Sequence, residues 1–279
     1  GSISGFGTYG PLSHLPCMDI IAAARSGLVA QSGQGADAPI KPGFSLCATW
    51  AGLQLLRGLS MALLHRQRTG EGLRVDIAML DCAFYMCEAP VLEHSISGEF
   101  SKRTGNHIAW YAPYGEFTTA DGNLVLAVTR QEEFEALCRV LGKPELAKDP
   151  RFADNNARVQ NREALIEEIQ SVTSQQGRYD LEKRLAAAGV PAAAVQSLRE
   201  FDEDPKSQEL HVIEKIHQEG VGAYTVSNTP IRFSRTPVDP DHSAPSFPGS
   251  NSREVLTALG YQPEKIEELL ASGAIYQPT

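Results

Sequence analysis

Apolar positions change their period several times along this 279-residue chain. Between Leu46 and Leu64 they fall on every side of a helix, interrupted by Thr49, Gln54, Arg57 and Ser60. A single apolar stripe marks a helix with one wet face, whereas apolar residues all round mark a buried one. The pattern predicts a long buried core helix over 46–68, ended at Thr69-Gly70. A membrane span is the competing reading. It wants about 20 predominantly apolar residues with few or no charges, and Arg57 and its polar neighbours argue against it.

Upstream, Ile20, Ile21, Ala24 and Leu28 keep a helical period, so 17–31 is predicted as a helix with Asp19 as its cap. Gly33 to Gly43 reads as a loop of Gly, Pro and Asp. Leu73 to Ile77 alternates and predicts a short strand, and a helix is expected from Leu80 to about Glu93. After Gly98 the character changes. Residues 117–128 predict a hairpin turning at Asp121-Gly122. Amphipathic helices follow at 131–141, 161–173 and 179–188. The tail carries Pro230, Pro237, Pro240, Pro245 and Pro248, then a helix pair at 251–259 and 263–271. The class is α/β, divided into 1–104, a smaller α+β domain over 105–225, and a tail over 226–279. No internal repeat or low-complexity run is present.

Composition narrows the function. Hydrophobic content of 42% with 21% charged residues is that of an ordinary globular protein. A net charge of −9 argues against nucleic acid as a partner, because phosphate backbones are held by clustered Lys and Arg. Five cysteines without a C-x-x-C pair suggest neither a disulfide frame nor a zinc knuckle. No His-rich or Glu-rich cluster suggests a metal. A reducing compartment, the cytoplasm or an organelle matrix, is expected. A Rossmann dinucleotide site has no support, since no strand–G-x-G-x-x-G–helix unit occurs.

Several short runs, in order, carry a resemblance. They are Ser4-Gly5-Phe6-Gly7-Thr8-Tyr9-Gly10-Pro11, Asp19 to Leu28, and Arg66 to Leu80 (R-Q-R-T-G-E-G-L-R-V-D-I-A-M-L). Further along come Ala112-Pro113-Tyr114-Gly115, Asp149-Pro150-Arg151-Phe152, Asn161-Arg162, Gly189-Val190-Pro191 and Asn228 to Ser234. Together they resemble the family III CoA-transferases, the CaiB/BaiF family. The resemblance implies a Rossmann-like large domain that binds CoA, incomplete here at its N-terminus, and a tail returning to it. It also implies an interlaced dimer, either a homodimer or a heterodimer with a homologous subunit. Acyl-CoA and a small carboxylate would be the substrates, with no permanently bound cofactor. The leading Gly1-Ser2 reads as a cloning remnant, or the chain as a fragment or processed product.

By resemblance, position 48 is where the family holds its nucleophilic aspartate, and Ser4, Gly5, Phe6 and Gly7 would lie against CoA. Here position 48 is Ala48. A carboxylate attacks a thioester, becomes a mixed anhydride and is reopened by CoA thiolate; a methyl group does none of this. No other Asp or Glu lies between Asp37 and Glu71, so a small shift of register does not restore one. Three explanations stand side by side. Ala48 is an Asp→Ala substitution, or the chain is a natural non-catalytic subunit, or the chemistry has moved to the Cys47 thiol. Some relatives are α-methylacyl-CoA racemases, but Met18 stands where their histidine precedes Asp19, and acid–base work at an α-carbon needs two titratable groups. His107, Trp110 and Tyr111 form an aromatic loop that either lines an acyl pocket or packs on the second domain. Glu200 to Asp204 reads as a solvated helix start.

Overall fold

Two strands that lie far apart in sequence meet at the start of the fold. In the computed structural model, β1 (Ser2–Ser4) pairs in parallel with β2 (Asp76–Ala78), in the register Ser2↔Asp76. Parallel neighbours need a long crossover. Here it contains α1 (Asp19–Arg25) and the 24-residue α2 (Leu46–Thr69). After β2 come α3 (Met79–Tyr85) and α4 (Glu88–Ser97). The structure describes residues 1–33, 35, 38–100, 102–210, 212–218, 220–236 and 247–277. Parts of the Gly33–Gly43 loop, Asp37 among them, and the tail prolines Pro237, Pro240 and Pro245 lie outside the described residues.

α2 has the predicted length and stops where Gly70 takes a left-handed φ of 80° that its neighbours would resist. Its burial corrects the expectation. Only Cys47, Ala51 and Ala62 are buried, whereas Leu53, Leu56, Met61, Leu63 and Leu64 are about half exposed. Small residues form the contact stripe, and a Cβ on Gly58 would lie 2.7 Å from Val75 Cγ1. α2 therefore approaches β2 closely through its small residues and turns its leucines outward. The single helix predicted over 80–93 is two, because proline at position 90 lacks an N–H and its ring would strike the carbonyl of Met86.

A three-stranded antiparallel sheet follows, in the order β3 (Tyr114–Thr119), β4 (Gly122–Ala127), β5 (Ala192–Ala194). Thr119 pairs with Gly122, so Ala120-Asp121 forms the turn, one residue earlier than predicted. Between β4 and β5 run α5 (Gln131–Val140), α6 (Asn155–Gln160), α7 (Arg162–Thr173) and α8 (Arg178–Ala187). Alternate β positions Phe117, Leu124 and Leu126 meet Phe134, Leu137, Phe152, Leu165, Ile169, Leu181 and Leu185 in one core. A smaller cluster of Ala22, Ala23, Cys47 and Ala83 holds α1, α2 and α3 together.

These elements make up the first of two compact units, 1–195 and 196–279. The second contains α9 (Leu198–Glu203), α10 (Pro205–Glu209), the hairpin β6 (Ile213–Gln218) and β7 (Gly222–Ser227), then α11 (Ser252–Ala258) and α12 (Pro263–Ala271). The helix start expected at Glu200 lies at Ser197, whose hydroxyl accepts from the Glu200 amide while the Glu200 carboxylate accepts from the Ser197 amide. Gly249 holds a φ of 86° directly against the Tyr276 carbonyl, where a Cβ would collide.

Candidate active site at the start of α2

Ala48 occupies the third position of α2 and is exposed. The first amides of a helix have no intrahelical partner, and the Ser45 side chain at the N-cap bonds none of them. Asp19 does so from across the fold: its Oδ2 accepts from the Ala48 N–H at 2.8 Å. This corrects the sequence expectation. Asp19 is the first residue of α1, Met18 holds the N-cap, and the Asp19 carboxylate caps α2 instead. A carboxylate at the positive end of a 24-residue helix is well placed electrostatically.

The Ser4–Gly7 turn reaches the same neighbourhood through Cys17. Ser4 closes β1 opposite Ala78. Gly5 follows, and a Cβ there would sit 2.0 Å from the Cys17 Cβ, so only glycine fits. The Gly5 carbonyl accepts from Leu80 N at 3.0 Å, extending the β1–β2 pairing. Phe6 lies under the Arg25 guanidinium at 5.9 Å, and Gly7 has a φ of 92°. Cys17 packs on the cluster containing Cys47 and stands two residues before Asp19. The expected CoA turn and the expected nucleophile position thus converge on Cys17–Asp19.

Cys47 itself is fully buried, and burial, with Asp19 adding to it, pushes its thiol up to about 11. It is a protonated core thiol at neutral pH, not an activated nucleophile. Cys17, Cys82, Cys87 and Cys138 are raised by burial as well.

Two cavities adjoin the segment that leads into α2, and the Ser4–Gly7 turn lines neither. One of about 290 Å³ is lined by Met18, Asp19, Lys41, Pro42, Phe44 and Ser45. The other, about 730 Å³ and polar, is lined by Lys41, Pro42, Asn106, His107, Glu116 and Asn123. Lys41 and Pro42 form the partition between them. Glu116 accepts from the Asn106 and Asn123 amides. His107 is half-buried; burial lowers its pKa, and Arg162 adds to that. Its backbone pairs with Gly115, where a Cβ would strike the imidazole.

The aromatic loop is fixed from α6 and α7. Asn155 Nδ2 donates to the Trp110 carbonyl at 2.9 Å, and Arg162 Nη2 donates to the Ala109 carbonyl at 2.6 Å. Arg158, fully buried, donates through Nε to the Ala112 carbonyl at 2.7 Å and stacks over Phe134. Sequence reasoning missed Arg158, Lys41 and the Asp19 cap. Arg158 lies within a helical stretch like any surface arginine, and the other two depend on contacts between distant segments.

Among the described residues, no group of three or more His, Cys, Asp or Glu stands ready to hold a metal ion, and no helix is long and apolar enough to cross a membrane. The profile of CoA-transferase family III matches residues 1–251. Succinyl-CoA:glutarate CoA-transferase of Mus musculus is 30% identical over 279 residues, covering 99% of this chain and 63% of the relative. Succinyl-CoA:mesaconate CoA-transferase of Haloarcula marismortui is 33% identical over 246 residues, covering 88% of this chain and 61% of the relative. A solved CaiB/BaiF family protein from Brucella suis superposes with a TM-score of 0.79 at 32% identity, covering 92% of this chain and 66% of that one. The chain therefore spans a little under two thirds of the length of these relatives.

Proposed function

The chain belongs to CoA-transferase family III, and from that membership we propose that it serves in moving CoA from an acyl-CoA thioester to a small carboxylic acid. CoA enters as part of the substrate and leaves with the product; no resident cofactor is needed. The observation that supports this reading is the convergence at the start of α2. Residue 48 stands in its first turn, and Asp19 and Cys17 link that turn to Ser4–Gly7.

The residues divide the work as follows. The Ser4–Gly7 turn, closed at Gly5 by Cys17 but without close neighbours at Gly7, would let a CoA thioester approach the backbone there. The first turn of α2 is where the acyl group would be received, and the methyl group of Ala48 does not itself receive it. Lys41, Asn106, His107 and Asn123 offer hydrogen-bond donors to a carboxylic acid in the polar cavity. The relatives' names point to dicarboxylic acids: glutarate and mesaconate, with succinyl-CoA as donor. Racemisation finds no acid–base pair at Met18 and Ala48.

A second reading is a non-catalytic subunit beside an active homologue. The outward leucines of α2 favour it, because a covering surface would bury them. CoA exchange from succinyl-CoA to a panel of dicarboxylates separates the readings, with the Ala48 chain run beside Ala48→Asp. The first expects transfer without any added partner, with Ala48→Asp at least as active as the Ala48 chain. The second expects no gain from Ala48→Asp alone, and transfer only after an active partner is added.

A further inference from the structure

Ala48 takes a carboxylate away from the first turn of α2, yet that turn retains one. We propose that Asp19 supplies the nucleophilic carboxylate for CoA transfer in this chain. The inference rests on the CoA-transfer reading above.

The geometry is specific. Asp19 Oδ2 lies 2.8 Å from the backbone nitrogen of Ala48. A residue's N and Cβ share one Cα and stand roughly 2.5 Å apart, so that oxygen is within roughly 5 Å of the Ala48 Cβ. This is the region a carboxylate on residue 48 would reach. Asp19 is half-buried and lines the 290 Å³ cavity. Among the described residues, its Oδ1 has no hydrogen-bond partner. Two acids nearby, one on β2 and one in the polar cavity, are tied down instead. Asp76 is held by Arg74 and Ser2, and Glu116 by Asn106 and Asn123.

The two oxygens have separate tasks. Oδ1 attacks the thioester carbonyl carbon; a C–O bond forms, the C–S bond breaks, and CoA leaves as thiolate. The thiolate then attacks the Asp19 Cγ of the mixed anhydride. A C–S bond forms there, the anhydride C–O bond breaks, and the donor acid leaves as its carboxylate. Asp19 now carries CoA as a thioester. The acceptor carboxylate attacks the same Cγ, thiolate leaves again, and its attack on the acceptor carbonyl yields the new acyl-CoA and free Asp19. No proton or electron is gained or lost. Through each addition at Cγ, the Ala48 N–H stays on Oδ2, where negative charge develops. A preorganised donor at a helix N-terminus stabilises that oxyanion.

The test is to incubate the full-length Ala48 protein with succinyl-CoA, quench with acid, digest, and map the CoA adduct by mass spectrometry. Asp19→Asn and Ala48→Asp are run in parallel. Asparagine caps a helix about as well as aspartate but is not a nucleophile, so Asp19→Asn separates chemistry from folding. The proposal expects CoA on the peptide containing Asp19, and at least a tenfold loss of adduct in Asp19→Asn. An adduct on another residue, Cys47 included, overturns it. If the Ala48 protein carries none while Ala48→Asp is labelled at 48, Asp19 is excluded and the CoA-transfer reading stands. If neither is labelled, both are overturned.

Discussion

At the scale of single residues, Glu133 shows backbone amides and a guanidinium together overcoming burial. Glu133 is buried at the start of α5, while its ion-pair partner Arg130 is mostly exposed. Burial alone would raise the Glu133 carboxyl, but the Thr129 and Arg130 amides and the Arg130 guanidinium overcome it and hold the group at about 2, against an ordinary 4.5. A carboxyl depressed in the folded state stabilises the fold above its unfolded pKa, and that stability drains away as pH falls from 4.5 toward 2. Glu133→Gln should therefore cost about 1 kcal/mol at pH 7, the worth of a lost cap. The difference from the parent should shrink between pH 4.5 and pH 3. Urea unfolding at the three pH values checks this; a gap that stays constant would mean that the charge is not its source.

At the scale of elements, two of the short motifs act as structural fasteners. Asp149 caps the turn that buries Phe152, and Arg162 ties α7 to the aromatic loop. Arg158 joins three segments at once, donating to Ala112, Phe152 and the Gln131 side chain. Arg158→Met keeps much of the volume but leaves buried acceptors unpaired at about 1–3 kcal/mol each, so a loss of roughly 3 kcal/mol is expected. Arg158→Lys, with a charge but no planar fork, should fall between. Thermal melts rank the three, and equal melting for Met and arginine would show that the carbonyls find other partners. Periodicity made most helices legible, because α2, α5, α7 and α8 repeat their apolar positions within one segment. The α3–α4 break has a local mark as well, Pro90, which a reading that looks for turn residues only from Ser95 onward passes over. Asp19 was misread for another reason: its acceptor role joins α1 to α2 across 29 residues, and no local pattern records such a contact.

At the scale of the whole molecule, the decisive feature is the side of α2 that faces outward. Leu53, Leu56, Leu63 and Leu64 recur at helical spacing on one face with about half their surface in water, beside Met61. Burying such a side chain fully is worth about 1.5–3 kcal/mol, so covering these five offers on the order of 5 kcal/mol. Ordering and association costs are set against that gain. Exposed apolar patches beyond a few hundred Å² mark interaction surfaces or aggregation hazards. Family relatives are longer than this chain by about a third of their own length, and the dimer implied by the resemblance is the other source of cover. The 279-residue chain alone should therefore elute from size-exclusion chromatography as dimers or larger species and bind a hydrophobic dye. Leu56→Glu with Leu63→Glu, two turns apart on the exposed face, should shift it toward monomer without lowering its melting temperature, because neither side chain enters the Cys47–Ala51–Ala62 stripe. A clean monomer peak from the unaltered chain would refute the idea that α2 is an interface. Association that survives both glutamates would move that interface elsewhere, to the exposed Leu92 and Ile96 of α4.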